Sequence, residues 1–221
     1  MRFGGKSRLG FYPLPLSEAQ QIRKFLQFPG TPSSAIDPCV GDGVAFEAIT
    51  AGAQVLRYGI ELDAYRAEQP RQRIMNVVQG NALEVQCPVE CCGLIYLNPR
   101  YDWTLGPADS RRTEQTFLSH TYRWLKPAGI LVLVIPSERL AECSQILASH
   151  FRDARVYRLE APECVRYKQV VVIGWSTVVC PLMRSRIFCR SQRPIDSRDA
   201  FSLLSPCLPQ VGPSHPCTPA S

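Results

Sequence analysis

The sequence predicts an α/β protein: a mostly parallel sheet carrying helices on both faces. Three observations lead there. Strand-like and helix-like segments alternate along most of the chain, the pattern that parallel sheets with crossover helices produce. Ile130–Ile135 is a continuous apolar run, as in a strand buried on both faces. Four polar residues, Asp37, Glu61, Asn81 and Asn98, each fall at or just past a strand-like segment. In open α/β sheets ligands gather at the carboxyl ends of the strands.

Taken in order, Ser17 caps a helix running to about Gln27, with Ile22, Phe25 and Leu26 on its apolar face. Ser34–Asp37 is a short strand, Val44–Ala51 a helix, and Gly52 its stop signal. Val55–Glu61 is the second strand. Asp63 caps the helix after it, which Pro70 interrupts. Val77–Val78 and Leu94–Leu97 are the next strands. A helix over Arg111–Leu125 ends at the turn Lys126–Gly129. After Ile130–Ile135 come a helix over Glu138–Ser149 and two closing strands, Arg155–Leu159 and Gln169–Trp175.

This sets a folded domain over residues 1–175 and a Pro/Ser/Cys-rich basic tail over 176–221, read as disordered or loosely attached. The tail holds five arginines against two aspartates, three of the six net positive charges. The basic balance is compatible with a nucleic-acid partner. No apolar run reaches the roughly 20 residues of a membrane span, and the start, MRFGGKSRLG, has no apolar leader core. A cytoplasmic protein without membrane partners is expected; the oligomeric state is left open. Ten cysteines include no C-x-x-C pair. The cluster Cys87, Cys91 and Cys92 has no histidine nearby and reads as buried thiols, so no metal site is expected. His120 and His150 fall in helices and read as structural or solvent-facing.

The first chemistry-bearing motif is Asp37-Pro38-Cys39-Val40-Gly41-Asp42-Gly43. Glycines at a strand-to-helix turn let backbone pass close to a ligand and expose helix N-terminal amides. Dinucleotide-binding loops want a third glycine, and Phe46 stands at that position. This weakens a nicotinamide-dependent oxidoreductase, as does the lack of a hydride-transfer partner. Glu61, about 20 residues past the loop's glycines, suits the hydroxyls of a ribose. Gly80-Asn81-Ala82 offers an amide to an adenine edge, though Asn-Ala is also ordinary turn chemistry.

Asn98-Pro99-Arg100-Tyr101 is the most informative stretch. An aromatic or amide NH2 is a poor nucleophile because its lone pair is delocalised. The Asn98 side-chain oxygen and the Pro99 carbonyl accept its two N–H bonds and localise the pair, while Tyr101 stacks on the plane. In-line attack on a methyl sulfonium then rests on positioning and electrostatics.

In this order the motifs resemble those of class I S-adenosylmethionine-dependent methyltransferases. Asp37–Gly43 resembles their motif I, Glu61 their ribose-binding acid, and Asn81 their adenine-contacting position. Asn98–Tyr101 resembles the (Asn/Asp)-Pro-Pro-(Tyr/Phe) motif of amino-methyltransferases. Gly10-Phe11-Tyr12-Pro13-Leu14-Pro15 is similar to the segment preceding motif I in adenine-N6 DNA methyltransferases. The chain also resembles a little-characterised bacterial and phage-associated methyltransferase family with Gly-Tyr-Tyr-Pro-Thr-Pro, Asp-Pro-Cys-x-Gly-x-Gly and Asn-Pro-Pro-Tyr-Asp.

The resemblance spans about residues 9–175. It implies a Rossmann-like fold with seven strands, the last antiparallel. It implies S-adenosyl-L-methionine as cofactor, held by Phe11, Tyr12, Asp37, Pro38, Gly41, Gly43, Glu61, Asn81 and Ala82. It implies methyl transfer to an amino nitrogen, adenine N6 in DNA, with Asn98, Pro99 and Tyr101 catalytic. RNA, a protein glutamine, or cofactor binding without turnover are the alternatives. Three departures bear on activity. Arg100 replaces the second proline and sets a long cation where it either holds a phosphate or obstructs the base. Leu14 replaces a threonine and removes a hydroxyl. The segment after Trp175 has no counterpart.

Overall fold

The computed structural model describes residues 13–99 and 113–177. Phe11, Tyr12, Arg100, Tyr101 and the tail from residue 178 lie outside the described residues. Seven strands form one sheet: β1 (Ser33–Asp37), β2 (Val55–Glu61), β3 (Asn76–Gln79), β4 (Cys92–Leu97), β5 (Leu125–Pro136), β6 (Phe151–Arg158) and β7 (Gln169–Ser176). Their order across the sheet is β3-β2-β1-β4-β5-β7-β6. Pairs from β3 to β5 are parallel, and β7 runs antiparallel to both its neighbours, β5 and β6. This is the Rossmann-like architecture expected, with the last strand reversed.

The strand order reverses between β1 and β4. A chain that winds outward in both directions from such a point leaves a crevice beyond the strand ends there. The helices are α1 (Leu16–Phe25), α2 (Val44–Ile49), α3 (Glu68–Arg71), α4 (Thr113–Thr121), α5 (Leu140–His150) and α6 (Pro162–Arg166). On one face Ala19, Ile22, Phe46 and Ile49 pack with Leu94, Tyr96, Val132 and Val134. On the other, Leu118, Cys143 and Leu147 pack with Ile95, Leu97, Leu131, Leu133 and Ile135. Alternate residues of β4 and β5 thus enter opposite cores, which is why both strands read as unbroken apolar runs. Leu14 is a core residue, 4% exposed and packed with the α1 face; its side chain seats the N-terminal segment.

Four differences from the sequence expectation have local causes. Lys126–Gly129, expected as a turn, is drawn into β5: Cys92 pairs with Leu125, then the register shifts so that Leu94 pairs with Ile130. Ala128, at φ 61°, turns the backbone inside that irregularity. The helix expected over 111–125 is shorter, α4 being followed by a 3-10 turn over Tyr122–Trp124. Asp63 does cap, its Oδ1 accepting from the Tyr65 and Arg66 amides at 2.9 and 3.1 Å, but the helix beyond it is a single turn containing Pro70. Helix α6, only five residues with a proline in its first turn, is too short to show a period in sequence.

Candidate functional site

The loop after β1 is built by its own residues and by β2. Asp37 ends β1, and its Oδ1 accepts the Cys39 amide at 2.8 Å, turning the chain sharply. Val40 donates its amide to the Ile60 carbonyl at 3.0 Å, binding the loop to the neighbouring strand. Gly41 and Gly43 have φ of 57° and 76°, values that side-chain-bearing residues adopt at a cost. A Cβ on Gly43 would also lie 3.1 Å from both the Ile74 and Pro70 side chains. Asp42 Oδ1 accepts from Val44 at 3.1 Å and starts α2.

Glu61 is the hub. It is 5% exposed. Its Oε2 accepts the Gly41 amide at 3.0 Å and its Oε1 the Asp63 amide at 2.9 Å. Arg66 Nε lies 3.3 Å from Oε1, and Arg66 also pairs with Asp63 at 3.8 Å. One carboxylate therefore ties the glycine loop, the end of β2 and the turn after it together. Each carboxylate oxygen has two lone-pair sites, and the two backbone amides use one on each.

Asp37 is 1% exposed. Burial pushes its carboxyl well above the ordinary carboxylate range, against the pull of the Cys39 amide, and the Glu61 and Asp42 carboxylates push it further. Two acids thus stand at adjacent strand ends, and burial favours the neutral form of Asp37.

A cleft lies beyond the carboxyl ends of β1, β2 and β4, lined by Pro38 and Cys39, by Ile60–Leu62 and Arg66, by Gly80–Ala82, and by Asn98, Pro99 and Phe117. Of the sequence-predicted residues, Pro38, Glu61, Asn81, Ala82, Asn98 and Pro99 share this cleft. Asp37, Gly41 and Gly43 stand behind it. Gly41 reaches it through Glu61, while Gly43 packs against Pro70 and Ile74. Asn81 lines the wall but uses its side chain locally: Oδ1 accepts the Leu83 amide at 3.1 Å and Nδ2 donates to Glu84 at 2.9 Å. Any adenine contact from this residue shares the amide with its own turn.

Arg66 and Phe117 were not anticipated. Arg66 carries a faint signal, three residues past the Asp63 cap, where a helical turn brings the two side chains together. Phe117 carries none, because α4 reaches the cleft only through the packing of its helix on the sheet. His120 Nε2 lies 3.2 Å from the Val85 carbonyl, and the His150 ring stacks on Tyr122 at 4.4 Å; both serve packing, as expected.

The cleft suits an adenosine-bearing sulfonium. Ile60, Leu62, Ala82 and Phe117 give apolar walls, and the Glu61 carboxylate and the Asn98 amide are polar groups lining the same space. The fold and this site define a class I methyltransferase architecture. The chain belongs to the Uncharacterised methyltransferase family (DUF6094), which it matches over residues 2–178. No curated protein matches it.

Among solved structures it is similar to a Listeria monocytogenes protein assigned to the class I S-adenosylmethionine-dependent methyltransferases (TM-score 0.58, 12% identity, covering 75% of this chain and 60% of that one). It is similar to TrmN from Thermus thermophilus (TM-score 0.56, 20% identity, 75% and 49%). An RNA methyltransferase from Salinibacter ruber, solved with S-adenosyl-L-homocysteine, is alike as well (TM-score 0.51, 16% identity, 75% and 94%). The chain thus spans 60% of the Listeria protein and about half of TrmN. At these identities the likeness is one of fold. A methyltransferase family with a class I fold has S-adenosylmethionine as its cofactor. Among the described residues, no helix is long and apolar enough to cross a membrane.

Proposed function

We propose that this chain transfers a methyl group to an amino nitrogen, with adenine N6 in DNA as the acceptor. The observation that carries the reading is the shared cleft: Asn98 and Pro99, past the end of β4, line the same cavity as Glu61 and Gly80–Ala82. In this reading Glu61 holds the ribose, the Gly80–Ala82 wall the adenine, and Asn98 and Pro99 the acceptor amino group. When bound, S-adenosylmethionine supplies a methyl carried on a positively charged sulfur. The chain's own part is positional. The Asn98 side-chain oxygen and the Pro99 carbonyl accept the two N–H bonds of the planar amino group and localise its lone pair. Tyr101 stacks on the base, and Phe117 helps exclude water. A duplex base is out of reach inside the stack, so the acceptor must be single-stranded or flipped out. Arg100 supplies a cation for the flanking phosphate. The five arginines after residue 177 supply positive charge suited to the nucleic-acid backbone.

Labelled S-adenosylmethionine incubated with single-stranded DNA, duplex DNA, RNA and protein tests this directly. The expected product is N6-methyladenine, formed fastest in single-stranded DNA. Methylation of RNA or of a protein glutamine would keep the amino acceptor and change the substrate class; the Salinibacter neighbour makes RNA the first arm to compare. Cofactor binding by calorimetry with no transfer to any acceptor would leave a binding module and sink the enzymatic reading. Asn98→Ala is expected to cut transfer at least roughly 100-fold, the scale for losing one preorganised polar contact in the transition state, while leaving cofactor affinity within about twofold. Full transfer by Asn98→Ala would displace this residue from the acceptor role.

A further inference from the structure

The far end of β4 carries a second cluster of chemistry that the methyltransferase reading does not use. Cys87 and Cys91 lie in the loop before β4, and Cys92 is the first residue of the strand. The Cys87 and Cys91 sulfurs are 3.0 Å apart, those of Cys91 and Cys92 3.4 Å, and all three lie within 4.8 Å of one another. Sequence spacing alone does not converge them, because neighbouring residues in an extended chain point to opposite sides. The chain is turned to do it. Glu90 sits in the left-handed region at φ 56°, a conformation that costs a non-glycine residue on the order of 1 kcal/mol or more. That turn is held from both sides: the Glu90 amide donates to the Arg123 carbonyl at 2.9 Å, and the Ser34 hydroxyl donates to the Cys91 carbonyl at 2.6 Å. The cluster is half-buried against Val85, Trp124 and Leu125.

We propose that Cys87, Cys91 and Cys92 form a three-thiolate site for a zinc ion. Three thiolates each about 2.3 Å from a tetrahedral zinc stand roughly 3.8 Å apart, so the Cys87–Cys91 and Cys91–Cys92 sulfurs, at 3.0 and 3.4 Å, need only move apart slightly to hold it. Binding converts three thiols to thiolates, forms three Zn–S bonds and releases three protons to solvent. No electron is transferred. Water or the nearby Ser34 hydroxyl completes the coordination. The site is structural: β4 spans six residues from Cys92 to Leu97, so at about 3.3 Å per residue it lies about 20 Å from Asn98. The ion would staple the loop between β3 and β4 to the base of the strand that ends in the acceptor motif.

The test is a titration of the reduced, metal-free full chain with Zn2+ against a chromophoric chelator, with Co2+ as a spectroscopic substitute. The expected results are one tightly bound equivalent, thiolate-to-cobalt charge-transfer bands, and a higher Tm with Zn2+. Cys91→Ser should weaken binding by more than the roughly 10–100-fold that losing a supporting partner costs. The tail also holds Cys180, Cys189, Cys207 and Cys217, so a chain with these four changed to serine must keep the equivalent. No stoichiometric binding by the unaltered chain overturns the proposal, whatever the variants do. So does binding that survives Cys91→Ser or vanishes with the tail cysteines, and so does recovery of Cys87 and Cys91 from cells as a disulfide.

Discussion

The two loops that wall the cleft do similar jobs and are held in opposite ways. The loop over 37–43 depends on its neighbour: Val40 is bonded to Ile60 and Gly41 to the Glu61 carboxylate, across 20 residues of sequence. The loop over 80–84 is tied to β2 at its start, where the Gly80 amide donates to the Glu61 carbonyl at 2.9 Å, and beyond that is held by its own residues, with Asn81 bonded to Leu83 and Glu84. One turn is held by side-chain and backbone bonds to β2 along its length; the other, past Gly80, is held by bonds within four residues. Damage should therefore spread from the first and stay local in the second.

The largest effect is expected from Glu61→Ala. It leaves the Gly41 and Asp63 amides without their acceptor and removes the Arg66–Glu61 ion pair in a nearly buried site. Unpaired buried donors cost about 1–3 kcal/mol each, so stability should fall by roughly 3 kcal/mol, or about 10 °C in Tm for a domain of this size. Cofactor affinity should fall with it. A loss no larger than that from Asn81→Ala would break the contrast between the loops.

Next comes Asp37→Asn, which sharpens the same loop. Because burial raises the Asp37 carboxyl in the folded chain, the native state holds that proton to higher pH than the unfolded state does. Stability from this group is therefore present below its unfolded range and is lost as pH rises through its raised folded range. Asparagine keeps the oxygen that accepts the Cys39 amide but carries no charge. The variant should melt a few degrees higher than the unaltered chain at neutral pH, with the gap closing as pH falls. A variant that melts lower at neutral pH would mean the buried carboxylate is compensated by a partner.

The smallest effect belongs to Asn81→Ala. It removes one local cap, worth about 0.5–1 kcal/mol, and should lower Tm by only a few degrees. If thermal melts show it as damaging as Glu61→Ala, the second loop is not self-contained.

What could be read in advance followed the range of the interaction concerned. Val55–Glu61 coincides with β2 because its end signals are local. The apolar runs of β4 and β5 announced burial on both faces, since alternate residues enter different cores. Asn98 and Pro99 were found because a motif carries its chemistry in consecutive residues. Asn81 offered either an adenine contact or turn chemistry, and its side chain makes the turn while the residue lines the cleft. Leu14 seemed a missing hydroxyl and is a core side chain, because its direction depends on how the N-terminal segment meets the sheet.

The amino-acid sequence by itself determined the alternation of elements, the glycine loop and the polar residues at four strand ends. These rest on residue-level properties: φ freedom at Gly41 and Gly43, hydrophobic period, and the donor and acceptor inventory of each side chain. The tertiary structure alone decided that Glu61 links two loops, that Arg66 and Phe117 face the cleft, and that three cysteines meet at the base of β4. Each of these depends on distances between segments remote in sequence, or on a single backbone turn such as that at Glu90. Such distances are set by the register and packing of the whole sheet, which no local pattern encodes.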